Sequence, residues 1–142
     1  MYNFQKVYSS PFSKVYFDAR LSILKVIALP ETATMDDHSY REDHTSILKS
    51  IEKLTPSFYL LNNSQNKFQA SSESQSWLQQ KIKALGVCKN AIVISADFIL
   101  HFMQHTNNQV PPIPSQYFTN EEDALLWLVG SIKTSSRKRI VT

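Results

Sequence analysis

Ser71, Ser72 and Ser74 open an amphipathic run, SSESQSWLQQKI, and their spacing places three hydroxyls at the start of a helix. Backbone amides in a helix's first turn lack partners within the helix, so two chemistries are open there. A serine hydroxyl can cap the helix, worth about 1 kcal/mol, and Ser72 with Gln75 has the S-x-x-Q spacing of a capping box. Alternatively, a phosphoryl group on one of the serines is stabilised by the same amides and the helix dipole. Capping by Ser72, with the others solvated, is the plainer reading. Asn62, Asn63 and Ser64 follow an apolar strand, SFYLL. If that strand belongs to an open parallel sheet, they stand at the end where ligands and partners dock. They supply donors and acceptors without charge, which suits polar recognition better than catalysis. A turn using asparagine for its left-handed dihedrals is the plainer alternative.

Other reactive side chains are dispersed. His101 and His105 have the i, i+4 spacing that lets two imidazoles share a metal, but there is no H-E-x-x-H pattern and no third ligand close in sequence. His38 and His44 share a segment with Asp36, Asp37, Glu42 and Asp43, which reads as a solvated mixed-charge helix face. No metal is expected at either place. Cys88 follows Gly86 and Val87 and reads as a small packed thiol, since no motif places a base beside it. The nucleophile-elbow, P-loop and dinucleotide motifs are missing, and two glycines in all leave little for a phosphate cradle. The expectation is a protein without catalytic residues or cofactor. Phe98, Phe102 and Met103, followed by NNQVPPIP, are the candidates for an apolar ligand pocket under a lid. Trp77 and Trp127 fall in helix stripes and read as core whose stripes can extend into a dimer surface.

The chain has 142 residues, the size of one domain, and its 42% hydrophobic against 19% charged residues can build a core. A single cysteine excludes an intramolecular disulfide. No apolar run approaches the ~20 residues of a membrane-spanning helix, and MYNFQKVYSSPF lacks the apolar core of a secretory signal. A cytoplasmic protein is expected. The formal charge is +3, and Arg137, Lys138 and Arg139 account for all of the excess. A neutral body with a basic tail does not suggest nucleic acid, whose affinity grows with phosphates neutralised across a folded face.

These residues need elements to position them. Ser13 to Asp18 alternates as a half-buried strand, and Leu21 to Leu29 reads as a more buried one, joined to the first as a hairpin. A helix from Asp36 to Leu54, a strand at Ser57–Leu61 and a helix from Ser72 to Gly86 follow. Next come a central strand at Asn90–Ser95, a helix from Asp97 to about Thr106, a short strand at Gln116–Phe118, and a last helix opened by a Thr119–Glu122 capping box. The order β-β-α-β-α-β-α-β-α predicts an α/β domain with a mostly parallel, mixed sheet of about five strands. Residues 1–12 read as an N-terminal extension, 13–130 as the domain, and 131–142 as a flexible basic tail.

Taken in order, VYFDARLSILKVIAL, DDHSYRED, FYLLNNS, SSESQSWLQQKI, KNAIVISADF and YFTNEEDALLWL resemble the SpoIIAA-like or STAS-like domains of bacteria, in particular their uncharacterised stand-alone branch. The likeness spans roughly residues 13–130. It implies strands and helices wound as a superhelix, and non-enzymatic roles: anti-sigma-factor antagonists, partner-switching scaffolds, and cytoplasmic domains that sense ligands or regulate transporters. The antagonist branch carries a phosphorylatable serine where a strand-following loop enters a helix, in an Asp-Ser-rich motif containing Gly. The matching stretch is Asn62 to Ser74, with Asn62 and Asn63 where Asp is usual and no Gly; Ser71 and Ser72 lie near the expected site. The resemblance therefore implies a regulatory or protein-interaction domain with a protein partner. The alternatives are a carrier or sensor of a small apolar, lipid-like ligand, and a homodimeric structural component.

Overall fold

Alternation and β-branching between Ser13 and Ala28 produce an antiparallel hairpin, and the helical stripes that follow convert the chain to parallel crossovers. The computed structural model describes residues 2–96 and 111–130. The elements are β1 (Gln5–Ser9), β2 (Ser13–Asp18), β3 (Ile23–Ala28), a 3-10 turn (Pro30–Thr34), α1 (Asp37–Leu54), β4 (Phe58–Asn62), α2 (Ser72–Ala84), β5 (Lys89–Val93) and β6 (Ser115–Phe118). Residues 121–130 are helical and are called α3.

The six strands lie in sequential order, β1 to β6. β1–β2 and β2–β3 are antiparallel, while β3–β4, β4–β5 and β5–β6 are parallel. Successive right-handed crossovers in one direction put their helices on one face of a sheet. Accordingly Ile47, Leu48 and Ile51 of α1 and Leu78 and Ile82 of α2 pack together on Val15, Leu24, Val26 and Tyr59. α3 covers the opposite face, with Ala124, Leu125 and Leu128 against Ile23, Leu60, Ala91 and Val93. The result is one α/β domain with a mixed sheet between two helical layers.

Several expectations change in detail. Among the described residues the sheet has six strands against the expected about five, because Gln5–Ser9 pairs with β2. Ser71, not Ser72, caps α2; its hydroxyl accepts the Ser74 amide at 3.1 Å, and the expected box with Gln75 does not form. Asn120, not Thr119, caps α3, accepting the Asp123 amide at 2.8 Å. Cys88 is exposed rather than packed, with its thiol 3.2 Å from the Ser57 carbonyl. Asp43 and His44 are buried under α1 rather than solvated. The helix expected from Asp97, with Phe98, Phe102, Met103, His101 and His105, lies outside the described residues, as does the basic tail. Among the described residues, no helix is long and apolar enough to cross a membrane.

Candidate functional site

Asn62 ends β4 and braces the loop beyond it. Its side-chain oxygen accepts the Ser64 amide at 3.0 Å and the Ser64 hydroxyl at 2.7 Å, closing an Asx turn. Its amide nitrogen donates to Glu121 Oε2 at 2.6 Å, and Glu121 Oε1 pairs with Lys25 at 3.2 Å. The Asn63 amide donates to the Val93 carbonyl at 2.7 Å, so the loop leaves along β5. Farther on, Asn66 bonds both backbone groups of Phe68, accepting at 3.3 Å and donating at 2.6 Å. The Lys67 amide donates to the hydroxyl of buried Thr32 at 2.8 Å, tying the loop to the 3-10 turn. Asn62 and Asn66 thus serve the loop's own shape. Asn63 is half-exposed, while Ser64 and Gln65 are open to solvent.

The head of α2 is clasped by the first turns of α1. α1 starts at a capping box in which Asp36 accepts the Ser39 amide at 2.8 Å and the Ser39 hydroxyl accepts the Asp36 amide at 2.9 Å. Hydrogen bonds from the Ser39 amide and hydroxyl hold the Asp36 carboxyl below the usual carboxylate range. One residue on, Asp37 accepts the Ser71 amide at 3.0 Å. One turn later, Arg41 Nε donates to the Ser74 hydroxyl at 3.0 Å while its guanidinium lies 5.2 Å from the Trp77 ring centre. Residues 37 and 41 of α1 therefore grip residues 71 and 74 of α2, matching helical periods on both sides.

This geometry separates the three serines. The Ser71 hydroxyl is engaged as the cap, and Ser74 is buried at 1% exposure. Ser72 is exposed and makes no side-chain hydrogen bond among the described residues. At 100° per residue, Ser72 and Ser74 differ by about 200° around the axis, so Ser72 faces away from Arg41. A negative group on Ser71 would sit on the residue whose amide Asp37 accepts and whose hydroxyl caps the Ser74 amide. On Ser72 it would alter only the outer surface.

A second polar cluster, unanticipated from the sequence, lies beneath α1. The Asp43 carboxylate accepts the Tyr8 hydroxyl at 2.9 Å and the Ser13 hydroxyl at 2.6 Å. Burial, then the Asp43 hydrogen bond, raises the pKa of Tyr8. His44 packs on Tyr40 with ring centres 4.3 Å apart, and its Nδ1 has no hydrogen-bond partner. Burial lowers the His44 pKa to about 4, against the opposing charge of Asp43. Ser13, Asp43 and His44 supply the residue types of a nucleophilic triad, but Asp43 binds the serine directly and the imidazole stands outside that bond. The arrangement does not route a proton from serine to histidine. Among the described residues no three candidate ligands cluster about a metal position.

Comparison of the chain with protein-family models, with curated proteins and with solved structures returns no match.

Proposed function

We propose that this chain is a non-enzymatic regulatory domain that binds a protein partner through the loop from Asn62 and the first turn of α2. The supporting observation is a braced loop beside a clasped helix head. Backbone and side-chain bonds at Asn62, Asn66 and Thr32 hold the shape, while Asn63, Ser64, Gln65 and Ser72 are left to solvent or half-exposed. A surface that keeps its shape loses little conformational entropy on docking. Phosphorylation would modulate it in two ways: on Ser71 by rebalancing the Asp37 and Ser74 contacts, on Ser72 by charging the outer face. The resemblance to bacterial SpoIIAA-like domains favours the same class of role, in the cytoplasm.

The test is affinity capture from the source cells with the wild type, Ser72→Glu, Asn63→Asp and Lys83→Glu, the last as an exposed control on the far turn of α2. The expected result is a stoichiometric protein partner, kept by Lys83→Glu and weakened at least about tenfold by Ser72→Glu, about 1.4 kcal/mol. Equal capture by all four proteins sinks the reading.

A further inference from the structure

We infer that the outer edge of β1, the first strand of the described sheet, together with the last two turns of α1, docks an extended acidic segment of a partner protein. Among the described residues β1 is first in the strand order and pairs with β2 alone. Its register shifts between Lys6 and Tyr8, and Val7 at that shift is 39% exposed. Beside it an open groove of about 390 Å³ is lined by Val7, Lys49, Ser50, Lys53 and Leu54. Lys49 and Lys53 are exposed one turn apart on α1, and neither has a carboxylate partner among the described residues. Lys6 and Lys14 add exposed cations on β1 and β2.

An irregular strand with lysines is how natural sheets guard an edge against indiscriminate pairing. The guard is selective by charge. Antiparallel pairing of β1 with a second copy would bring the two sets of lysines together, so the edge disfavours self-association. An acidic strand meets no such repulsion. Its backbone adds a seventh strand, an apolar side chain enters the groove between Val7 and Leu54, and flanking carboxylates reach Lys49 and Lys53. This surface is separate from the head of α2: Arg41 and Lys53 are roughly 18 Å apart along α1 at 1.5 Å per residue.

The experiment uses the full chain and a capped, labelled heptapeptide, Glu-Asp-Val-Glu-Val-Asp-Glu, with a version carrying Lys for every acid as control. Anisotropy gives affinity, and amide resonances map the contact. The acidic peptide is expected to shift residues 5–9 and 49–54, to bind more weakly as salt rises, and to lose at least about tenfold in affinity in K49E/K53E. The lysine peptide should then prefer that variant. Equal binding of both peptides, shifts confined to residues 62–74, no binding, or dimerisation of the free chain through β1 would each overturn the proposal.

Discussion

Replacing His44 with phenylalanine should remove a pH dependence that the wild type carries. The imidazole is buried at 7% exposure, packed at a 50° tilt against the Tyr40 ring, and its Nδ1 is unpartnered, so phenylalanine keeps the ring contact without breaking a bond to that nitrogen. Burial holds the folded-state pKa at about 4, against the ordinary 6.5. Between those values the unfolded chain binds the proton and the folded chain does not. Stability is therefore intact above the unfolded value and falls as the pH drops through the window. The slope approaches about 1.4 kcal/mol per pH unit. The loss due to His44 comes to about 2 kcal/mol at pH 5 and levels near 3 kcal/mol below pH 4. For a chain of this size, 2 kcal/mol corresponds to roughly 6–8 °C in Tm. Asp36 and Asp18, held low respectively by Ser39 bonds and by backbone amides that outweigh burial, lose their contributions only as pH falls below the ordinary 3.8, outside this window. Urea unfolding of wild type and His44→Phe from pH 7 to pH 4.5, followed by Trp77 and Trp127 fluorescence, isolates the difference. The two proteins should agree within about 1 kcal/mol at pH 7 and diverge by about 2 kcal/mol at pH 5, the variant being the more stable. Parallel curves across the range would refute the argument, because they would mean His44 is hydrated or paired in the folded state.

Two further outcomes follow from named bonds. Ser71→Ala removes the cap of α2 and should lower stability by about 1 kcal/mol, whereas Ser72→Ala should stay within about 0.5 kcal/mol; chemical denaturation of both decides whether the cap sits at 71. Glu121→Ala strips a partner from both Lys25 and Asn62 and should cost about 1–2 kcal/mol, discounted because the Lys25 and Glu121 side chains are 16% and 28% exposed and the ammonium also lies 4.4 Å from the Phe4 ring centre. Glu121→Gln should recover part of that loss in thermal unfolding by accepting one of the two bonds.

Apolar periodicity made most of the architecture legible. The alternation of Ser13–Asp18, the β-branched run around Leu24 and Val26, and the stripes of α1 and α2 all became the elements they suggest. β1 escaped because an edge strand has little to bury: in QKVYS only Tyr8 is half-buried, so no alternation marks the segment. The cap of α2 shifted by one residue for a related reason. SSES offers two adjacent serines, and spacing to Gln75 favours Ser72, but the Ser71 amide is the one that Asp37 reaches from α1. A contact between residues 34 positions apart decided a local choice. Nothing in the local pattern carries that information.

The burial of Asp43 and His44 is a different failure, because its signal was present. His44 lies four residues after Tyr40 and four before Leu48, and Asp43 lies four before Ile47, so both occupy the stripe that faces the sheet. Residue type argued for solvent and position argued for the core. Position prevailed because Tyr8 and Ser13, from the two strands beneath, bring hydroxyls to both oxygens of the Asp43 carboxylate. A buried carboxylate is tolerated when its lone pairs are met. His44 has no comparable provision and is tolerated because an imidazole can give up its charge, which is why its pKa moves. A polar residue at a stripe position is thus better read by asking which other segments carry hydroxyls at core-facing positions. Here Ser13 heads the alternating face on which Val15 is buried and Phe17 half-buried, a placement that the sequence pattern itself carries.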